Sequence, residues 1–158
     1  MPSAIFRRVV AIGALTTATL TFALSAQASA DIGDEDVVRV RYTGVTKTDT
    51  SPKSISKGDS WVTYQHLYTL QNKFVGDVGS RCSAVAVAEN KVTTQCTRVL
   101  RMKDGEIHLH DMISRKGSKA VTAKTAIVGG TGIYNDAEGE GYVTLKGESV
   151  GFDLYVDD

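Results

Sequence analysis

Proline is scarce in this chain, and its scarcity favours long, uninterrupted strands. Only two of the 158 residues are proline. Proline cannot donate a backbone hydrogen bond, so within sheets it is confined to edges, strand starts and bulges. A sustained helical period is also missing after residue 30, whereas alternation of apolar and polar residues with period two recurs. The sequence therefore indicates an all-β protein.

An excess of one charge sign is missing as well. The chain has 18 basic and 18 acidic residues, which gives a formal net charge of +0. A nucleic-acid-binding domain normally carries a basic excess or a basic patch. We therefore expect no nucleic acid among the partners of this protein.

Residues 1–30 follow the pattern of a signal peptide. Arg7 and Arg8 precede an apolar run over residues 9–24, and small residues follow at 26–30. This is the order that a secretory signal requires, and the run is shorter than the ~20 residues of a membrane span. An uncleaved anchor helix is the less favoured alternative. We predict cleavage after Ala28 or Ala30, and a secreted chain, residues 31–158, that has no membrane association and forms one domain.

The only two cysteines, Cys82 and Cys96, are expected to form a disulfide, because export places them in an oxidising compartment. Two free buried thiols are the alternative. A three-residue hairpin loop at 88–90, with Asn90 in the left-handed conformation, sets Cys82 opposite Cys96. Opposed residues have Cβ atoms ~4.5–5.5 Å apart, close to what a disulfide needs. The bond closes a loop of about 15 residues, worth roughly 3 kcal/mol in the chain-entropy model.

Eight strands at short spacing are predicted after residue 36, and this number is typical of a sandwich or a barrel. Tight hairpins between the strands favour a meander, in which each strand pairs with the next. The predicted strands are residues 37–45, 60–70, 81–87, 91–101, 106–113, 120–128, 141–146 and 149–156.

A glycine-rich segment at residues 126–141 is the most informative part of the chain. It reads AIVGGTGIYNDAEGEG. A dinucleotide fingerprint would need a helix directly after the glycines, but a strand follows here, so no nucleotide cofactor is predicted. Glycines also let the chain turn sharply at a barrel rim. We favour this structural role over direct ligand contact.

This segment resembles the signature of the allene oxide cyclase and plant dirigent superfamily, with Tyr134 as the aromatic residue and Ala137 and Gly139 as the small residues. Residues 58–68, 75–76 and 104–107 and the cysteine pair are similar to exported bacterial members. The resemblance covers residues 58–156 and implies an eight-stranded antiparallel barrel with a central apolar pocket, often trimeric in plants. The chain departs from dirigent proteins at Glu138, where many have arginine, and at Gln65 and His66, where they have an acidic pair.

The site residues are expected on the predicted strand at 60–70. An eight-stranded barrel points alternate side chains inward and has room for one small ligand. We predict Tyr64, His66 and Tyr68 as polar groups of the pocket, with Trp61 as an alternative wall. His66, with Tyr64, is the candidate catalytic group, since histidine titrates near neutral pH. A histidine hydrogen-bonded within the sheet is the alternative.

The other two histidines are expected to face solvent. His108 and His110 share one face of their strand and could bind a metal. Ile107 and Leu109 supply the apolar face of that strand, which favours an outward position for the histidines. We therefore predict neither a metal nor a cofactor.

Three functions fit these features. The first is an exported barrel that binds a small apolar molecule, as a cyclase or isomerase that orients its substrate for stereoselective ring closure, mainly through proximity. The second is a non-catalytic or dirigent-like protein that binds a lipid or secondary metabolite. The third is an oligomeric surface protein with a plugged barrel. The predicted partners are a small molecule and further copies of the chain.

Overall fold

The chain forms a closed barrel of eight antiparallel strands, as predicted. A computed structural model describes residues 37–157, so the predicted signal peptide lies outside the described residues. Each strand pairs with its neighbour in sequence, and β1 also pairs with β8, which closes the barrel. The strands are β1 (Val38–Asp49), β2 (Ser60–Thr69), β3 (Phe74–Ala88), β4 (Lys91–Met102), β5 (Gly105–Lys116), β6 (Val121–Gly132), β7 (Glu138–Lys146) and β8 (Ser149–Asp157).

The two ends of the barrel differ. Because the strands alternate in direction, the connections at 50–59, 89–90, 117–120 and 147–148 lie at one end, which we call the open end. The connections at 70–73, 103–104 and 133–137 lie at the other, the closed end. Apolar side chains with no exposed surface fill the barrel toward the closed end: Leu67, Val78, Leu100, Ile107, Leu109 and Leu154.

The glycine-rich segment covers the closed end. A Cβ atom at Gly130 would overlap the carbonyl oxygens of Tyr134 and Glu106, so only glycine lets the connection at 133–137 pass this close. Ile133 donates a backbone hydrogen bond to Asp104 (3.0 Å), and Ala137 is buried. The glycine-rich segment therefore has a structural role at the rim of the barrel, as the sequence favours.

The β3–β4 hairpin contains the predicted disulfide. Cys82 lies opposite Cys96, with Cα atoms 4.1 Å apart. The predicted three-residue loop is wrong, because Ala88 pairs with Lys91 across a two-residue turn, and Glu89 (φ 54°) takes the left-handed conformation. A β-bulge between Ala84 and Ala86 adds one residue to β3. This extra residue compensates for the shorter loop and restores the register of the cysteines.

Strand β3 also starts earlier than predicted, at Phe74 rather than at residue 81. The two glycines in this region suggest a connection in the sequence, but both lie within the strand. Gly76 sits beside an irregularity in the pairing with β2, and Gly79 faces outward. Glycine inside a strand often marks such a bulge, so it does not end the strand here.

Candidate functional site

The barrel is hollow toward its open end. A cavity of about 530 Å³ opens there, within the 300–1,000 Å³ range typical of small-molecule sites. Apolar groups supply much of its wall: Ile55, Trp61, Val87, Val92, Leu145, Val150 and the Cys82–Cys96 disulfide. The barrel therefore has a cavity at its open end, whereas side chains fill it toward its closed end.

Buried polar side chains separate this cavity from the apolar core. We call these five residues, one from each of strands β2 to β6, the polar belt: Gln65, Ser80, Arg98, Asp111 and Thr125. Along β4, Cys96 and Arg98 line the cavity, and the next inward residue, Leu100, belongs to the core. Gln65 and Arg98 of the belt line the cavity and form its floor, and Ser80 and Asp111 are hydrogen-bonded to Arg98.

An ion pair between Arg98 and Asp111 is the centre of the belt. Arg98 donates from Nε to Asp111 Oδ2 (2.6 Å), from Nη2 to Asp111 Oδ1 (3.1 Å) and from Nη1 to Ser80 Oγ (3.4 Å). The side chains of Arg98 and Asp111 are 4% and 0% exposed. The β4–β5 register sets Asp111 opposite Cys96, so the two charged side chains are diagonal neighbours on the inner face. This bidentate contact fixes the guanidinium in place.

Two polar atoms near this floor have spare hydrogen-bonding capacity. Gln65 Nε2 donates to Thr46 Oγ1 (3.3 Å). Within the described part of the chain, Gln65 Oε1 and Thr63 Oγ1 are buried and have no hydrogen-bond partner. Buried polar atoms are normally satisfied, by protein or by an ordered molecule. Since both residues line the cavity, its deep end can accommodate a partly polar ligand.

The rim of the cavity has balanced charge. Asp49 and Glu89 supply two acidic groups, and Lys53 and Arg115 supply two basic ones. Arg115 also donates hydrogen bonds to the carbonyl oxygens of Lys119 (3.1 Å) and Ser118 (2.8 Å), which hold the β5–β6 connection at the mouth. The charged groups at the mouth therefore do not select for a ligand of either charge sign.

The structure reverses the predicted faces of β2. Tyr64, His66 and Tyr68 lie on the outer surface of the barrel, where Tyr64 is 40% exposed, so the prediction that they line the interior is wrong. The reason is the register, because Trp61 pairs with the buried Cys82 and residues opposed in neighbouring strands share a face. Alternation then places Leu67 inside and the three rings outside.

These outer rings form a cluster with Phe74. Ring centroids lie 5.5 Å apart for His66 and Phe74, and 5.9 Å apart for Tyr64 and His66. The Tyr64 hydroxyl donates to Asp77 Oδ2 (3.2 Å), and Asp77 is paired with Arg101 (2.7 Å). Hydrogen bonds from Arg101 and then from Tyr64 lower the pKa of Asp77. Desolvation, followed by the contact with Asp77, raises the pKa of Tyr64.

Trp61 is the one predicted ligand-binding residue that lines the cavity. Arg98 and Asp111 are not among the site residues predicted from the sequence, although the sequence contains a signal for them. Asp111 shares a strand face with Ile107 and Leu109, so a carboxylate stands on an otherwise apolar face. A charged residue in such a position is expected to need a buried partner of opposite charge.

His108 and His110 face outward, as the sequence favours, and His108 Nε2 lies 3.2 Å from Glu106 Oε2. Within residues 37–157, no group of three or more His, Cys, Asp or Glu side chains is arranged to hold a metal ion. The same residues contain no helix of the length and apolarity needed to cross a membrane.

The fold is a closed antiparallel barrel of eight strands with a cavity at one end. Residues 39–148 match the family model for the allene oxide cyclase barrel like domain. The chain belongs to this family. No curated protein sequence is significantly similar to it.

Solved structures share the fold at low sequence identity. Pyocyanin demethylase has a TM-score of 0.62 and 20% identity, over 75% of this chain and 99% of that chain. A nonspecific heme-binding cyclase of neoabyssomicin biosynthesis has a TM-score of 0.58 and 14% identity, over 78% of this chain and 65% of that chain. The pterocarpan synthase dirigent protein has a TM-score of 0.55 and 18% identity, over 76% and 83%.

Proposed function

We propose that this protein binds a small, mainly apolar molecule in the cavity at the open end and holds it in one conformation. The single observation that carries the proposal is the cavity itself, which has largely apolar walls and a polar floor that includes the ion-paired Arg98. A plugged barrel, the third function that the sequence leaves open, has no such space. The ligand enters between the connections of the open end and contacts Trp61.

The cavity is better suited to orienting a molecule than to acid–base chemistry. Its ionisable groups are Asp49, Lys53, Glu89 and Arg115 at the rim and Arg98 at the floor, and Asp111 already pairs with Arg98. Ring closure of a flexible molecule is accelerated when its reacting atoms are held together, without any proton transfer from the protein. A cyclase-like or dirigent-like role therefore fits these residues.

The names of the structural neighbours support this proposal. Among proteins with this fold are a cyclase, a Diels–Alderase and a dirigent protein, all of which guide the reaction or the geometry of a small molecule. Binding without turnover is the second candidate, and it is favoured because Arg98, the ionisable group at the deep end of the cavity, is already held in an ion pair with Asp111. Both candidates require the same cavity, and a ligand such as a secondary metabolite.

The fluorescence of Trp61 tests the proposal, since this is the single tryptophan of the chain and it lines the cavity. We expect the neutral probe 1-aminoanthracene to quench it saturably at one probe per chain. Thr94 points into the cavity, so Thr94→Phe fills part of it and is expected to weaken binding at least about tenfold, a typical cost of steric exclusion from a pocket.

Gln95→Phe is the matched control, because Gln95 is the next residue of β4 and faces outward. This variant is expected to bind the probe like the wild type, as are Tyr64→Phe and His66→Ala. The proposal fails if the probe does not bind saturably, or if Thr94→Phe and Gln95→Phe bind it equally well.

We also propose that the protein acts outside the cytoplasm. The Cys82–Cys96 disulfide supports this, since disulfides persist in oxidising compartments. N-terminal sequencing of the protein recovered from the culture medium of its producing cell is expected to start at residue 29 or 31. Recovery only in the cytoplasm, with residue 1 intact, would contradict secretion.

A further inference from the structure

We infer that Arg98 binds a neutral carbonyl oxygen of the ligand at the floor of the cavity. The inference rests on the proposed function, because it requires that a ligand occupy this cavity. It names the chemical class of that ligand as an apolar molecule with a ketone, enone, quinone or lactone group at its deep end.

Stability alone does not explain the ion pair between Arg98 and Asp111. Taking Arg98 and Asp111 out of water has a cost that their mutual attraction only partly offsets, and apolar side chains of similar size often stabilise a core equally well. The neighbouring inward positions of both strands show the apolar alternative, with Leu100 on β4 and Leu109 on β5. A better explanation for the pair is that Asp111 fixes the guanidinium of Arg98 and so orients its remaining N–H groups.

Arg98 has more hydrogen-bond donors than its protein partners use. A guanidinium has five N–H groups, and those that Arg98 uses within residues 37–157 are one on Nε, one on Nη2 and one on Nη1. Two N–H groups remain on the edge of a side chain that lines the cavity. They are held by Asp111 and need no reorganisation to bind an oxygen atom, which is the arrangement that gives strong, directional recognition.

The hydroxyl group of Thr63 lies in the same inward row as Arg98. Thr63 is opposed to Ser80 in the β2–β3 register, and Ser80 is opposed to Arg98 in the β3–β4 register. The three residues therefore form one inward row that lies across three strands. Thr63 Oγ1 is buried, has no hydrogen-bond partner among residues 37–157 and can donate a hydrogen bond. Two separate residues of this row thus offer unused donors to a ligand acceptor.

The charge of the floor indicates a neutral acceptor. Asp111 balances the charge of Arg98, so a ligand carboxylate would add an uncompensated negative charge beside a buried carboxylate. A carbonyl oxygen accepts the same hydrogen bonds without that cost. We therefore expect ketones to bind better than carboxylates of the same shape.

Matched ligands test the inference through Trp61 fluorescence. 2-Acetylnaphthalene and 2-isopropylnaphthalene have nearly the same shape, and only the first has a carbonyl oxygen. The double variant Arg98→Met/Asp111→Leu removes both charges together and leaves no unpaired one. We expect the ratio of the two dissociation constants to shift against the ketone by about tenfold or more in this variant, as for a hydrogen bond to a charged group. Val99→Leu, on the outer face of β4, is the control and keeps the wild-type ratio.

Each outcome has a distinct meaning. An unchanged ratio, or tighter binding of 2-naphthoate than of the ketone to the wild type, overturns the inference and leaves the proposed function intact. Failure of both neutral naphthalenes to bind the wild type overturns the proposed function together with the inference.

A second measurement does not depend on the folding of the variant. The infrared carbonyl band of 2-acetylnaphthalene bound to the wild type is expected at lower frequency than in hexane, by at least the shift that water causes. A bound band at the hexane position would show a carbonyl without a hydrogen bond and would overturn the inference.

Discussion

At the scale of single residues, buried polarity distinguishes the two halves of the barrel. Gln65, Ser80, Arg98, Asp111 and Thr125 are each no more than 6% exposed, although such residues are mostly found at protein surfaces. Each is a neighbour of apolar residues along its own strand. Gln65 and Arg98 line the floor of the cavity, and Ser80 and Asp111 hold Arg98 in position through hydrogen bonds.

Asp77 gives the residue-scale prediction, on the outer face. Its pKa is lowered by Arg101 and Tyr64, so its stabilising effect is complete above the unfolded value of about 3.9 and is lost as pH falls through the lower folded value. We expect Asp77→Asn to lower the free energy of unfolding by less than about 1 kcal/mol at pH 7, since the pair is partly exposed. Urea unfolding should show this difference shrinking below about pH 4.

A difference between Asp77→Asn and wild type that stays constant from neutral to acid pH would contradict this assignment. High salt at pH 7 should reduce the difference, because it screens a partly exposed pair.

The inward face of β2 could not be predicted from the sequence, because both faces of this strand have aromatic and polar residues. Hydrophobicity alone therefore does not choose between the Trp61 face and the Tyr64 face. The choice is made by the register with β3, through the pairing of Trp61 with Cys82. Register depends on bulges and turns, and a shift of one residue exchanges the faces of a strand.

At the scale of elements, the glycine-rich connection between β6 and β7 closes one end of the barrel. We expect Gly130→Ala to destabilise the protein by more than about 2 kcal/mol, because the added Cβ would overlap backbone oxygens that cannot move independently. Chemical denaturation monitored by circular dichroism measures this change.

Gly79→Ala is the control for this prediction. Gly79 also lies within a strand, but a Cβ there would have no neighbour within 4 Å. Its effect should stay within about 0.5 kcal/mol, as for most surface substitutions. Equal stability of the two variants would show that the close approach at Gly130 has no structural importance.

The number and order of the strands could be predicted from the sequence, because turn residues and period-two alternation are local signals. The exact ends of β3 and the loop of the β3–β4 hairpin could not. The turn at Glu89 and Asn90 and the bulge after Ala84 have compensating effects on the register. The disulfide is consequently predicted correctly, although the predicted length of the hairpin loop is wrong.

At the scale of the whole molecule, the barrel combines a solid half with a hollow half. The solid half holds the apolar core and the glycine-rich cover, and both stabilise the closed end. The hollow half consists of a rim, apolar walls and a fixed polar floor. Substitutions at a few inward positions would therefore change which ligand the cavity binds. The sequence predicts a hollow barrel through its family resemblance, but it does not show which end is hollow.

The most direct test of this account is an amide NMR titration of the uniformly 15N-labelled protein with 1-aminoanthracene. We predict that the largest shift changes occur at the Trp61 indole and at the amides of Thr63, Thr94 and Gly147, which line the cavity. Changes confined to the backbone amides of Tyr64, His66, Tyr68 and Phe74, with the Trp61 indole signal unmoved, would contradict it.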